Sequence, residues 1–266
     1  MKNEDITLLK NIIGKQICPL INTAEEMTFE KHINTGCVSV DKLLNGGLRV
    51  GTLTEVYGES GSGKTQLALQ IAAQCGSKGS VYICTESVFP VKRFNQICDY
   101  IQRDSCKNIN KEHTFIEHVT EGEDLLSCIR VRLPKLLKQK KISVIIIDSI
   151  ASPFRIDVSN YVQRAEELRE LGISLLNLAQ NFNLAILCLN QVTSSFEKPD
   201  NILPSLGLSW SNMVSYRLLL RRSSCLINID NIESQIRELI VMFSPDLDNK
   251  MCKFAIDTTG LKSLPA

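Results

Sequence analysis

Gly58-Glu59-Ser60-Gly61-Ser62-Gly63-Lys64-Thr65 matches the template G-x-x-x-x-G-K-T at every fixed position. That template describes a turn whose backbone N–H groups converge on phosphate oxygens. The helix that follows adds the positive end of its dipole, the lysine places a point charge on the β- and γ-phosphates, and the threonine hydroxyl ligates magnesium. Such a turn works only between a strand and a helix, and the flanks supply both. Leu53 to Tyr57 is a short apolar run suited to a buried strand, and Thr65 to Ala73 has helical character. A Gly-Ser surface turn would not require that setting. The expected cofactor is ATP with Mg²⁺, held by Gly58, Glu59, Ser60, Gly61, Ser62, Gly63, Lys64 and Thr65.

Outward from this turn the chain alternates between strands and helices. Val38 to Leu44 reads as a helix ending at Gly46-Gly47. Val81 to Thr85 and Phe115 to Val119 read as strands, and Leu125 to Lys138 as an amphipathic helix. Val144 to Ile147, almost wholly β-branched, suits a strand covered on both faces of a parallel sheet. A long helix over Arg164 to Asn181 leads to an inner strand, Leu184 to Leu189. Later strands are expected at Tyr216 to Arg221, Arg237 to Met242 and Cys252 to Ile256. The expected fold class is α/β, a mostly parallel sheet with helices on both faces, occupying residues 33–266. Residues 1–32 have a weaker pattern and read as a short N-terminal adaptor segment.

In an open α/β sheet the ligand lies beyond the C-terminal ends of the strands. Asp148 ends the β-branched strand, where a second carboxylate is needed to hold Mg²⁺ directly or through water. Taken alone it could equally be a helix-capping aspartate ahead of Ser149. Glu86 follows the strand after the phosphate turn and is placed to orient an attacking water. Gln191 ends the next strand beyond Asp148 and is placed to sense the γ-phosphate. Three strand ends are thus expected to meet the loop, with Lys64, Glu86 and Gln191 as the catalytic set and Thr65 and Asp148 as the metal ligands.

Net charge is +1, from 30 basic and 29 acidic side chains, so no global field draws the molecule to nucleic acid or to an anionic membrane. Ten cysteines are scattered without a C-x-x-C pair, and Cys84 and Cys188 lie inside apolar runs. That pattern fits a reducing compartment better than a disulfide scaffold. The N-terminus carries Glu4 and Asp5 where a secretion signal would be basic, and no apolar run approaches the roughly 20 residues of a membrane span.

With these residues in place the chain resembles the RecA-type recombinase superfamily, and within it the eukaryotic recombinase paralogues. The resemblance rests on Tyr82 to Arg93 (Y-I-C-T-E-S-V-F-P-V-K-R), Phe115 to Val119, Ile147 to Arg155 (I-D-S-I-A-S-P-F-R), Leu189 to Thr193 and Leu206 to Asn212. It implies a RecA-like ATPase core acting in the nucleus, in homologous recombination repair of double-strand breaks and crosslinks. It also implies a complex with another paralogue, the C paralogue, support of the strand-exchange recombinase, and binding to single-stranded or branched DNA. By the same resemblance Arg93 stacks on adenine, and Ser244-Pro245-Asp246 reaches over a neighbouring subunit's nucleotide.

Some features depart from the family pattern. Judged by length, the compact helical N-terminal domain is expected to be missing or reduced to about thirty residues. The Phe-x-x-Ala self-assembly signature is absent, Phe29 being followed by Glu30, Lys31 and His32. A defined hetero-complex is therefore expected rather than an open-ended filament. Of the two loops expected to face DNA, the first offers Arg155 and Arg164 with Phe154 and Tyr161, and the second, Val192 to Ser205, has a single cation, Lys198. Phosphate neutralisation supplies most non-specific affinity, so autonomous DNA binding is expected to be weak. Phe154 and Tyr161 can equally stack on bases or pack locally. Lys138 to Lys141 reads as a solvated helix end, and Trp210 as packed.

Three activities remain compatible with this pattern: a weak DNA-stimulated ATPase whose nucleotide state controls assembly, a non-hydrolysing ATP-bound adaptor, and a small-molecule kinase. The kinase is disfavoured because Val192 to Ser205 lacks the arginines of a mobile lid.

Overall fold

The computed structural model describes residues 31–105, 111–154, 161–194, 202–229 and 232–264. The adaptor segment expected over residues 1–32, Arg155, and the middle of the second DNA-facing loop therefore lie outside the described residues, except for its last two positions in the first case. Among the described residues the chain runs through β1 (His32–Ile33), α1 (Val38–Leu43), β2 (Leu48–Arg49), β3 (Leu53–Tyr57), α2 (Lys64–Gln74), β4 (Ser80–Cys84), α3 (Val91–Ser105) and β5 (Thr114–His118). It continues through α4 (Gly122–Ser127), α5 (Leu133–Gln139), β6 (Val144–Asp148), α6 (Tyr161–Phe182), β7 (Ala185–Asn190), β8 (Val192–Ser194), β9 (Ile202–Pro204) and α7 (Gly207–Ser211). Four strands close it: β10 (Tyr216–Ile229), β11 (Ile232–Phe243), β12 (Met251–Asp257) and β13 (Gly260–Ser263).

Nine of these strands form one sheet in the order β13-β12-β11-β10-β3-β7-β6-β4-β5. From β10 to β5 every pair is parallel, and from β10 to β13 every pair is antiparallel. The expected α/β core with a mostly parallel sheet is thus present. β3, β4 and β7 are buried along their whole length because helices cover both faces. One apolar layer joins α1, α2 and α3 to the sheet, and the other joins α4, α5 and α6 to the opposite face. β-branched and aliphatic runs such as Val144 to Ile147 survive in such a setting because every side chain meets an apolar neighbour.

Three differences from the sequence-based expectation have physical causes. The helix expected over Leu125 to Lys138 is interrupted by a π-turn at Cys128–Arg132. Pro134, at the start of α5, has no N–H to donate, and its ring crowds the carbonyl one turn back. Helix α3 is absent from that expectation although Phe94, Ile97, Cys98 and Ile101, spaced three and four apart, are all buried. The strands expected at Tyr216 to Arg221 and Arg237 to Met242 are far longer. They pair as one ribbon reaching beyond the sheet, with register shifts at Arg217/Leu218 and Arg222/Leu226. Among the described residues no second layer covers the projecting part, so polar residues such as Ser223, Ser224 and Asn228 carry no buried alternation to mark it.

Candidate nucleotide site

The phosphate turn leaves β3 at the centre of the sheet and enters α2 at Lys64. Gly58 sits so close to β10 that a Cβ there would collide with the Leu220 carbonyl. Gly63 is the residue before α2 and has φ +110°, and a Cβ there would meet Ile256 Cδ1 at 2.6 Å. Side chains at either position would push the turn away from its neighbours. The turn opens into a cleft of about 760 Å³ lined by Lys64, Thr65, Glu86, Asp148, Gln191 and Arg237 among others.

Glu86, Asp148 and Gln191 arrive there from the ends of β4, β6 and β7, so the three strand ends expected to converge do so. Asp148 Oδ2 accepts hydrogen bonds from Thr65 Oγ1 at 2.9 Å and from Tyr82 Oη at 2.7 Å. Gln191 Nε2 donates to Glu86 Oε2 at 2.6 Å. Lys64 Nζ donates to the carbonyls of Gly58 and Glu59 at 2.6 and 2.8 Å. Burial holds the Lys64 ammonium below its usual range, against the opposing pull of Asp148, Glu86 and Glu59. Burial, reinforced by Asp148, pushes the Tyr82 phenol well above its ordinary value, so Tyr82 remains a donor at neutral pH.

A hydroxyl and a carboxylate oxygen side by side form a hard donor set suited to Mg²⁺, which keeps several waters and takes phosphate oxygens besides. Among the described residues the buried hydroxyls of Ser62 and Ser149 have no hydrogen-bond partner, and Ser149 lines the cleft. Unpaired buried polar atoms around a phosphate turn are what a phosphate and its hydration shell would satisfy. The residues present therefore fit Mg²⁺ and a polyphosphate.

Arg93 stands outside the cleft lining and is held by Gln66 Oε1 at 2.7 Å and the carbonyls of Asp257 and Thr258 at 2.6 and 2.7 Å. Asp246 is tied within the chain, accepting from Tyr216 Oη at 2.8 Å and pairing with Arg49 at 2.6 Å. Arg164 lies in the first turn of α6 and is not among the residues that line the cleft. The two aromatic residues of the first loop separate: Phe154 is 5% exposed and packs in the core, whereas Tyr161 is 69% exposed. Lys138, Lys140 and Lys141 are exposed at the end of α5, as a solvated helix end requires.

Sequence reasoning missed a second group beneath the cleft. Glu55, in the middle of β3, is 0% exposed. Its carboxylate accepts from Asn190 Nδ2 at 2.7 Å, from Trp210 Nε1 at 2.8 Å and from Arg217 Nε at 2.5 Å. Asn190 Oδ1 accepts in turn from the Gln191 amide at 2.7 Å and from Ser205 Oγ at 2.5 Å. The signal was present, since an ionisable residue inside a five-residue buried strand demands a partner. Trp210, 0% exposed, is packed as expected.

The Rad51 family model matches residues 29–264. The chain belongs to the Rad51 family. It is a RecA-type recombinase paralogue with the ATP-binding core of that family. It is 35% identical over 262 residues to the DNA repair protein XRCC3 of Bos taurus, a match covering 89% of this chain and 76% of that one. Against DNA repair protein XRCC3 of Mus musculus it is 32% identical, covering 89% and 77%. Against the DNA repair protein XRCC3 homolog of Arabidopsis thaliana it is 30% identical, covering 89% and 94%. Among the described residues no helix is long and apolar enough to cross a membrane.

Proposed function

We propose that this Rad51-family chain acts in the nucleus, in DNA repair by homologous recombination, as a MgATP-binding paralogue whose nucleotide state controls assembly with a recombinase partner. The observation that carries the nucleotide part is the 2.9 Å contact between Thr65 and Asp148 at the base of the phosphate turn, with Glu86 and Gln191 joined across the same cleft. Thr65 and Asp148 would hold Mg²⁺, which when bound neutralises charge on the β- and γ-phosphates. Lys64 and the turn amides bind and orient the phosphates. Glu86 takes up a proton from an incoming water at its carboxylate, and the hydrogen bond from Gln191 fixes which way that carboxylate points. The activity proposed for this arrangement is slow, DNA-stimulated ATP hydrolysis. The partners proposed are a C-type paralogue, the strand-exchange recombinase, and single-stranded or branched DNA contacted weakly through Arg155 and Arg164. The relatives' names, which include DNA repair protein RAD51 homolog 3 in Cricetulus griseus, support that context.

Two measurements test the reading. Glu86→Gln should bind MgATP as the wild type does while releasing phosphate at least about tenfold more slowly. Equal, negligible release from both proteins would instead support the ATP-bound adaptor. Partner capture from nuclear extract with and without ATP should recover a recombinase-type protein, with retention altered in Lys64→Ala. Recovery of no such protein in either condition would end the assembly proposal.

A further inference from the structure

The cleft has two walls of different origin. The turn after β3 divides the sheet, with β7, β6 and β4 on one side supplying Gln191, Asp148 and Glu86. On the other side lie β10, β11 and β12, and from them Arg237 and Ile256 line the same cleft. Arg237 is directly opposite Arg222 across the β10–β11 pair. Like charges facing one another in an antiparallel pair repel and destabilise it.

The neighbouring rung shows how the ribbon treats a cation that has a protein counter-ion. Arg221 faces Glu238 and pairs with it at 2.8 Å, and Lys253 adds a second contact at 3.4 Å. Strand pleating sends Glu238 to the other face of the ribbon, so it does not serve Arg237. Among the described residues no carboxylate pairs with Arg237. Among those same residues its Nη1 reaches only Gln235, at 3.2 Å, and its buried Nε has no hydrogen-bond partner. Arg222 has a long contact with Glu59 of the phosphate turn, at 3.9 Å. Burial, then the charge of Arg222, holds the Arg237 guanidinium below its usual range.

The guanidinium lies against the turn itself. A Cβ built on Gly63, the residue before α2, would lie 3.8 Å from Arg237 Nε, and one built on Gly61 would lie 3.9 Å from Arg222 Nη1. A desolvated donor with no acceptor, beside a second cation and aimed at a phosphate turn, is a group arranged for an anion.

We propose that Arg237 is a phosphate-binding residue of the nucleotide site, contributed by the same chain from the antiparallel side of the sheet. It contacts a phosphate common to the di- and triphosphate rather than the γ-phosphate. Its side of the cleft carries Ile256, whose strand end also holds Arg93, whereas the Glu86–Gln191 pair stands across the turn. The assignment rests on the MgATP reading above and gives the site a grip on ADP that is independent of turnover.

The test uses the full chain and titrates MgADP and MgATP calorimetrically into wild type, Arg237→Gln, Arg237→Lys and Lys64→Ala. Arg237→Gln should weaken both nucleotides by a similar factor, about ten- to a hundredfold. Arg237→Lys, which keeps the charge but lacks the Nε–H donor, should fall between it and wild type. In the absence of nucleotide, Arg237→Gln should melt at or above the wild-type temperature because the repulsion from Arg222 is relieved. If Arg237→Gln does not fold, the Arg237→Lys titration decides alone. Unchanged ADP and ATP affinity in a protein whose Lys64→Ala variant loses binding would overturn the assignment and leave the ATP site standing. A loss confined to ATP would also overturn it, by moving the contact to the γ-phosphate. A wild type that takes up neither nucleotide would remove the ATP reading and this inference together.

Discussion

The two sides of the sheet build the nucleotide cleft by different means. On the parallel side, β4, β6 and β7 are buried almost throughout and each leads to one polar residue at or just past its C-terminal end, which is why Asp148 and Gln191 meet Thr65 and Glu86. On the antiparallel side, the contribution comes from the flank of a long ribbon, where Arg222 and Arg237 face each other part-way along their strands. Strand ends are found by looking for where an apolar run stops. A flank residue has no such marker, because a strand partly open to water tolerates a cation at any outward position.

The boundary between the sides is the β3–β10 pair, where Glu55 and Arg217 are directly opposite and bonded at 2.5 Å. The largest effect is expected there. Glu55→Ala should cost about 3–5 kcal/mol in urea unfolding, because it leaves the Arg217 cation without its buried counter-ion. Glu55→Gln should cost less, since one acceptor survives. A loss below about 1 kcal/mol for Glu55→Ala would mean that the two sides are joined by backbone pairing alone.

A smaller effect is expected inside the parallel side. Tyr82→Phe removes one of the two donors to Asp148 Oδ2. It should lower stability by about 1 kcal/mol and raise the Mg²⁺ concentration needed for nucleotide binding several-fold, as read by calorimetry at fixed ATP. An unchanged Mg²⁺ requirement would show that Thr65 alone orients the carboxylate.

The smallest effect is electrostatic and concerns the buried thiols of that side. Burial pushes Cys84 to about 11 from an ordinary 9.0, and pushes Cys188 well above it. A folded-state value raised above the unfolded one gives stability that is complete below the unfolded value and is lost as pH rises towards the folded value. Between about pH 8 and pH 9 each such thiol should therefore cost a few tenths of a kcal/mol. Cys188→Ala should flatten the decline of unfolding free energy over that range. A slope identical to wild type would assign the decline to other groups.

How much was legible in the sequence follows the same division. Leu53 to Tyr57, Val144 to Ile147 and the Gly58-to-Thr65 turn announce themselves because burial on both faces permits few residue types and the turn demands glycine. Glu86, Asp148 and Gln191 could be placed by position alone. Glu55 was passed over inside its strand, although a lone charge there is a strong sign of hidden partners. Arg237 fell at the first residue of an expected strand and gave no hint of facing the turn, since that depends on pairing register with Arg222. Phe154 and Tyr161 look alike as aromatic loop residues, and only the packing of α4 against Phe154 separates them.

Asn190 and Ser205 are bonded side chain to side chain and side chain to backbone, and the Ser205 amide also donates to the Gln191 carbonyl at 2.9 Å. The excursion between them consequently starts and finishes at one anchored point, like a loop of cord drawn through a ring. Extra residues inserted beyond Ser194 would add little closure cost, roughly half a kcal/mol for a doubling of length, and would leave Gln191 where it stands. Evolution is therefore free to vary what this excursion touches without re-engineering the chemistry at its root.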